Sequence, residues 1–334
     1  MRIDKLTLTN FRCFTKKTFK FSPQTTVIVG PNAVGKTNVL EAIYFLSTGK
    51  SFRAKLEREM INYDADFCRV EGEVGDINLA IVLTKGFIER KKLLVNGVSK
   101  RLLDFAGNLK TTLFGPWDLD LVTESPSVRR RFLDMVLSQV DREYRRAIMS
   151  YEKGLRQRNR LLYRIREEGL SRSQLLFWDQ LLIRTGDYIS KERQKFIEFI
   201  NTTGKLRIIY DFSAISEGRL EQYAEEEVAA ATTLVGPHRD DFSIKDLDRD
   251  LATYGSRGEQ RMGVLWLKMA ELSFVEVRTG ERPVLILDDI FSELDHEHRQ
   301  IVMEIVGKQQ TIITTADPHY IEAIQKVEII KLTS

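Results

Sequence analysis

The stretch that decides the fold of this chain is Gly30-Pro31-Asn32-Ala33-Val34-Gly35-Lys36-Thr37. The apolar run Val27-Ile28-Val29 precedes it, and a helical pattern follows from Asn38 to Leu46. A glycine, four residues and then Gly-Lys-Thr, placed between a strand and a helix, form the pattern of a phosphate-binding loop. Its glycines let backbone N–H groups point inward, and the helix N-terminus adds partial positive charge. The sequence therefore predicts a nucleotide site.

The side chains of this loop define the expected contacts. We expect Lys36 to reach the β- and γ-phosphates of ATP, and the Thr37 hydroxyl to bind Mg²⁺. The remaining nucleotide contacts expected here are Gly30, Pro31, Asn32, Ala33, Val34, Gly35 and Asn38.

A second part of the same site lies near the C-terminus, where the buried-strand pattern Val284-Leu285-Ile286-Leu287 ends at Asp288-Asp289. Four apolar residues followed by an acid are typical of the second half of a P-loop ATPase site. We expect Asp288 to hold Mg²⁺ through water and Asp289 to position the attacking water. The two halves together predict an ATPase.

A third candidate segment is Gly255-Ser256-Arg257-Gly258-Glu259-Gln260, which precedes a long helical pattern. A loop of small residues at a helix start can bind an anion. Ser256 could equally be a simple helix cap. The residues alone leave both interpretations open.

The composition is that of a globular protein with one or two domains. The chain has 334 residues, of which 43% are hydrophobic and 30% charged. It has no apolar run of membrane-spanning length, and its N-terminus lacks a charged-then-apolar signal. We therefore expect a cytoplasmic protein with no membrane partner.

The charge is unevenly distributed along the chain. The overall net charge is only +3, but residues 126–200 hold 17 Lys and Arg against 10 Asp and Glu, a net charge of +7. A basic segment on a mildly acidic body indicates a polyanionic partner.

This basic segment reads as two long helices joined by one turn, that is, a helical arm. Between Arg142 and Arg166 it has two acids, three interleaved tyrosines and nine cations: Arg142, Arg145, Arg146, Lys153, Arg156, Arg158, Arg160, Arg164 and Arg166. One interpretation is contact with DNA phosphates, for which the candidates are Arg129, Arg130, Arg142, Arg145 and Arg146. The alternative is a solvated helix face with the tyrosines in the core.

In this order, the motifs resemble those of the ABC-type ATPases of the SMC and Rad50 branch. The resemblance rests on Asn10-Phe11-Arg12, the loop at 30–37, the signature-like segment at 255–259, Asp288-Asp289 and Ser292-Glu293-Leu294-Asp295. Within that branch the chain is similar to the RecF family of bacterial recombination mediators. The segments that carry this similarity are 114–119 (FGPWDL), 126–134 (PSVRRRFLD), 236–241 (GPHRDD) and 287–295 (LDDIFSELD).

The resemblance implies a fold and a domain division. The expected fold is α/β: an ABC-type P-loop ATPase head with a mixed sheet, helices and an antiparallel β meander, plus an inserted helical arm. We expect residues 1–125 and 205–334 to form the head, and residues 126–204 to form the arm.

The resemblance also implies an activity. Such a protein would bind ATP and Mg²⁺, form an ATP-dependent homodimer, and bind duplex DNA and junctions of single and double strands. It would act with RecR and RecO to help load RecA in replication, recombinational repair and the SOS response. Arg12 would join the nucleotide contacts, and Ser256 and Gly258 of one copy would close on the γ-phosphate held by the other.

Two departures from the usual ABC pattern predict slow hydrolysis, and a protein of this kind is expected to be a weak ATPase that DNA stimulates. Asp289 stands where a longer Glu is usual, and Ala316, near Thr314 and Thr315, stands where a switch His is usual. Two alternatives remain. A transporter ATPase subunit should have a fuller signature, a Glu after Asp288 and a His near 316. A Rad50-like nuclease partner should have a long coiled coil.

Overall fold

The computed structural model describes residues 1–86, 90–292, 294–317, 319 and 326–333, and the statements below concern these residues. Of the predicted segments, Glu293 and Pro318 lie outside them. The chain forms two compact units: Met1–Leu119 with Leu267–Ser334, and Asp120–Trp266. None of the described helices combines the length and apolar character needed to span a membrane.

The first unit contains eleven of the strands that the structure describes. They are β1 (Lys5–Phe11), β2 (Phe14–Lys20), β3 (Thr25–Val29), β4 (Phe67–Val74), β5 (Ile77–Thr84), β6 (Arg90–Val95), β7 (Val98–Lys100), β8 (Thr111–Phe114), β12 (Val284–Asp288), β13 (Thr311–Thr315) and β14 (Val327–Lys331). The second unit contains β9 (Arg207–Asp211), β10 (Asp241–Asp246) and β11 (Arg249–Asp250).

The described helices follow in chain order. They are α1 (Lys36–Thr48), α2 (Leu102–Phe105), α3 (Asp120–Thr123), α4 (Pro126–Val140), α5 (Arg142–Glu168), α6 (Leu176–Ile200), α7 (Glu217–Gln222), α8 (Ala224–Ala230), α9 (Leu251–Tyr254), α10 (Arg257–Thr279) and α11 (His296–Ile305).

A five-stranded parallel sheet in the order β14-β3-β13-β12-β8 positions the predicted site. Every residue of β12 is buried, as the apolar run predicts. Strand β13 lies between β3 and β12, with Thr314 opposite Asp288 and Thr315 opposite Val29. The carboxyl ends of β3 and β12, which lead into the phosphate loop and into Asp289, therefore meet at one edge of the sheet.

The predicted β meander forms an antiparallel sheet in the order β2-β1-β4-β5-β6-β7. Its last hairpin turns at Asn96-Gly97, where both residues have positive φ, 51° and 77°. Such values are those of the tight hairpin turn that an Asn-Gly pair favours. Together with the parallel sheet, this confirms the mixed α/β fold.

The predicted arm of two long helices contains three, because Asp141 ends α4 and caps the start of α5. Helices α5 and α6 form a helical hairpin in the second unit. The two helices approach closely at Gly154, where an added Cβ would lie 3.1 Å from Leu181 Cδ2. The unit is larger than the predicted arm, since it runs from Asp120 to Trp266 instead of from 126 to 204.

Buried ion pairs explain why residues after 204 belong with the arm helices. Arg193 of α6 donates to Asp240 Oδ2 and to the carbonyl oxygen of Pro237, both at 2.7 Å. It also donates to Asp134 Oδ1 of α4 at 2.8 Å. A buried guanidinium and the buried Asp240 need each other, because either one alone would leave an uncompensated charge.

His238 lies beside this network and is held in its neutral form. Its Nε2 donates to the carbonyl oxygen of Thr233 at 3.0 Å, and its Nδ1 accepts from the Tyr151 hydroxyl at 2.8 Å. Burial lowers the pKa of His238 from 6.5 to about 4. Between these values the unfolded chain binds more protons than the folded chain, so stability falls as the pH is lowered through this window.

We expect His238 to make the second unit sensitive to acid. Lowering the pH from 6.5 to 4 should cost up to about 3 kcal/mol of unfolding free energy through this residue. His238→Gln should remove that part of the loss in urea unfolding curves recorded across the range. His296→Gln, at an exposed position, is the control. Equal pH dependence of all three proteins would contradict the assignment.

Candidate nucleotide-binding site

The phosphate loop lies between β3 and α1 and requires glycine at two positions. Gly35 has φ 102°, and a Cβ there would lie 2.6 Å from Cys13 Sγ. A Cβ on Gly30 would lie 2.4 Å from the carbonyl oxygen of Leu332. No side chain caps α1 at Gly35. Since the first N–H groups of a helix have no intrahelical partner, this end of α1 suits an anion.

Lys36 is buried inside the curve of the loop. Its ammonium donates to the carbonyl oxygens of Gly30 at 2.7 Å and Pro31 at 3.0 Å. The cation is therefore already held by the loop that would surround a phosphate.

Asp288, the last residue of β12, contacts the start of helix α1 and strand β13. Its Oδ1 accepts hydrogen bonds from Thr37 Oγ1 at 3.1 Å and Thr314 Oγ1 at 2.5 Å. Burial raises the pKa of Asp288, and the two hydroxyl bonds oppose this rise. A carboxylate beside a threonine hydroxyl is the oxygen pair that holds Mg²⁺ in P-loop sites, so these residues fit the cation. The structure thus brings the two predicted Mg²⁺ ligands together.

The backbone at Asp289 is held in an uncommon conformation. Its φ is 51°, its N–H donates to the carbonyl oxygen of Thr314 at 3.1 Å, and its own carbonyl oxygen accepts from Ser292 Oγ at 2.7 Å. Non-glycine residues held at positive φ cluster at functional sites. The contact of Thr314 with Asp288 was not predicted, although their positions opposite each other in adjacent strands explain it.

Arg12, predicted as a nucleotide contact, has partners within the chain, and its contact with a nucleotide stays a prediction. Its Nε and Nη2 donate to the two carboxylate oxygens of Glu41, at 2.8 and 2.6 Å, and its Nη1 donates to the carbonyl oxygen of Glu59 at 2.6 Å. Glu41 lies on α1 and is fully buried. Arg12 therefore neutralises a buried acid and holds the helix that follows the phosphate loop.

Arg53 lies close to the phosphate loop. Its Nη1 donates to Asn38 Oδ1 at 3.1 Å, and its charge helps to lower the pKa of Asp288 against burial. Ser51 anchors this loop by donating to Glu41 Oε1 at 2.5 Å. The structure therefore adds an exposed cation to the phosphate-loop region.

The signature-like segment forms the start of α10 in the second unit. The Ser256 N–H donates to Glu259 Oε2 at 2.7 Å, and the Glu259 N–H donates to Ser256 Oγ at 3.3 Å. This reciprocal pair is a capping box. A Cβ added to Gly258 would meet no atom within 4 Å among the described residues. Ser256 is thus a helix cap here, and its contact with a nucleotide stays a prediction.

Three of the five predicted DNA contacts are paired or buried within the second unit. Arg129 donates to both oxygens of Asp241, at 2.6 and 2.9 Å. Arg130 donates to the carbonyl oxygen of Asp240 at 2.7 Å, and Arg145 is buried. Arg142 and Arg146 are exposed. Contact of these five residues with DNA stays a prediction.

We expect matched variants of Arg12 and Arg53 to affect different properties: stability for Arg12 and ATP binding for Arg53. Arg12→Gln leaves Glu41 without its cation and should lower the unfolding free energy by about 3–5 kcal/mol. Arg53→Gln should change stability by less than about 0.5 kcal/mol and weaken ATP binding. Urea unfolding and equilibrium binding of labelled ATP measure the two effects. A fully stable Arg12→Gln protein would contradict the structural role of Arg12.

Comparison with known proteins shows which family and which relatives this chain resembles. The family described as the RecF/RecN/SMC N-terminal domain matches residues 2–334. The DNA replication and repair protein RecF of Herpetosiphon aurantiacus is 35% identical, covering 98% of each chain. The RecF protein of Halalkalibacterium halodurans is 38% identical, covering 95% of this chain and 93% of its own.

Solved structures agree with these relatives. The recombination mediator protein RecF, solved as RecF-ATP in the RecFOR pathway, superimposes with a TM-score of 0.88 at 31% identity, covering 99% of this chain and 95% of that one. An Smc head domain from Pyrococcus furiosus matches at 16% identity with a TM-score of 0.51, which supports the ABC-type head fold alone. The chain belongs to the RecF family of ABC-type ATPases.

Proposed function

We propose that this protein is an ATP-dependent DNA-binding protein of replication and recombinational repair, working in the cytoplasm with RecR and RecO to help load RecA. Its similarity to DNA replication and repair proteins RecF, and to the recombination mediator RecF of the RecFOR pathway, supports this proposal. The single observation that carries the nucleotide part is the contact of Thr37 and Asp288, at 3.1 Å, beside a glycine-shaped loop that holds Lys36.

Each residue of the site has a separate role in ATP hydrolysis. Lys36 and the N–H groups of the loop bind the β- and γ-phosphates, and Thr37 and Asp288 hold Mg²⁺. Mg²⁺, when bound, neutralises phosphate charge. Asp289 positions the attacking water. Because Asp is one methylene shorter than the usual Glu, Asp289 holds this water less firmly, and hydrolysis is slow.

The signature-like segment acts on a second copy of the chain. Ser256 and Gly258 of one copy close on the γ-phosphate bound at Lys36 of the other, so that ATP joins two copies around DNA at a gap or junction. A ligand that binds only the dimer stabilises it by mass action. The open space at Gly258 supports this role, because a second surface can approach there closely.

We expect ATP and Mg²⁺ to double the mass of the wild-type protein in light scattering. Lys36→Ala should abolish the doubling by removing the phosphate contact, and Gly258→Arg by blocking the approach of a second copy. Gly218→Arg is the matched control, since Gly218 also has no atom within 4 Å of an added Cβ among the described residues. Doubling by Gly258→Arg as by wild type would contradict the proposed dimer.

We expect Asp289→Asn to slow ATP hydrolysis further while ATP-dependent doubling of the mass is kept. Asn tolerates the positive φ at this position but cannot act as a base. The wild-type rate itself should lie well below the enzyme median of about 10 s⁻¹, and DNA should raise it. Phosphate release at saturating ATP, with and without gapped duplex, measures both. An undiminished rate in the variant would rule out Asp289 as the water-positioning group.

A further inference from the structure

Helix α5 presents one charged face and one buried face along its whole length. Five exposed cations, Arg142, Arg146, Lys153, Arg156 and Arg160, recur at steps of three, four or seven residues and therefore lie on one side of the helix. We call these five residues the α5 stripe. It extends over about 27 Å at 1.5 Å per residue.

The other four cations of the predicted arm are buried or paired, and Arg145 is one of the buried ones. Arg158 is buried and pairs with Asp179 at 2.6 Å and Glu227 at 2.7 Å. Arg164 and Arg166 pair with the neighbouring Glu168 and Glu167, at 2.9 and 2.8 Å. The nine cations counted in the sequence are therefore not one surface.

Three residues of the α5 stripe carry uncompensated charge. Lys153, Arg156 and Arg160 have no ion-pair partner in the part of the chain that the structure describes. Arg146 has Glu143 at 3.8 Å, and both side chains are more than half exposed. Exposed pairs at such distances contribute little to stability, so Arg146 also keeps a charge that a ligand can reach.

We propose that the α5 stripe binds the phosphate backbone of double-stranded DNA without reading its sequence. This inference rests on the proposed function and names the surface that it uses. Four of the five residues are arginines, whose planar guanidinium matches phosphate oxygens in pairs. A row of single-sign charge about 27 Å long matches the closely spaced phosphates of a duplex.

The stripe favours a duplex over a single strand. Proteins that hold single strands stack the bases on exposed aromatic rings. Of the three tyrosines of α5, Tyr144 and Tyr151 lie on the opposite face, with 0% and 2% exposure, and the exposed Tyr163 lies beyond the end of the stripe. The stripe is therefore suited to contacts with phosphates and not to the stacking of bases.

The stripe also favours nucleic acid over an acidic protein. Stable protein interfaces depend on a central cluster of apolar or aromatic anchors. Within its span, Met149 is the one large apolar side chain exposed among the residues described, at 43%.

The test is the salt dependence of binding to a 30-base-pair duplex, for wild type and for the triple variant Lys153→Gln, Arg156→Gln, Arg160→Gln. Each lost phosphate contact should flatten the slope of log K against log salt by about 0.9, so the triple variant should lose about 2.7. Arg164→Gln, Arg166→Gln, Arg172→Gln removes the same charge from cations that are already paired on the same hairpin, and should leave the slope near the wild-type value.

Three results would overturn the proposal: an unchanged duplex slope in the stripe variant, an equal loss in the control variant, or a loss confined to single-stranded DNA or to an acidic protein. Arg156→Lys with Arg160→Lys should preserve the slope, because the charge is kept.

Light scattering on the same samples tests the proposed dimer independently of the proposed DNA contact. If wild type doubles with ATP but the stripe variant keeps its slope, the stripe is refuted and the dimer stands. If wild type never doubles but the slope falls in the stripe variant, the dimer is refuted and the stripe stands.

Discussion

The site depends on one carboxylate, Asp288, which accepts hydrogen bonds from hydroxyls that are distant in sequence. Thr37 is 251 residues away and Thr314 is 26 residues away. Only the parallel register of β3, β13 and β12 brings them together. Because Asp288 is buried, these hydrogen bonds compensate part of the cost of removing its carboxylate from water. The nucleotide site is thus a direct consequence of the sheet order.

The second unit is organised by buried charge in the same way. Arg193 and Arg158 are each 2% exposed in their side chains and are each paired with a fully buried acid, Asp240 and Glu227 respectively. Such pairs are costly to break, which fixes α5 and α6 against the segment that follows them. The fixed inner face of α5 leaves its outer face available, and that face carries the α5 stripe. Packing and the proposed DNA contact therefore use opposite sides of one helix.

Local patterns predicted the elements of the fold and the phosphate loop, because hydrophobic periodicity and glycine spacing involve residues that are close together in sequence. They also predicted that Thr37 and Asp288 would share a site. They did not predict which arginines form ion pairs with acidic residues of the same chain. Arg129 pairs with a residue 112 positions away, and Arg12 with an acid on the next helix, so their partners are set by tertiary packing. Charge counts along the chain treat a buried arginine and an exposed one alike.

In the proposed dimer one nucleotide is held by two copies of the chain, and mixing two inactive variants shows whether the site is shared. Lys36→Ala lacks a working phosphate loop, and Gly258→Arg lacks a working signature segment. If the site is shared, the mixture contains one intact site per mixed dimer, and ATP should restore doubled mass and about half of the wild-type hydrolysis per mixed dimer. If each copy holds its nucleotide alone, the mixture will stay as inactive as its components, and the account will be contradicted.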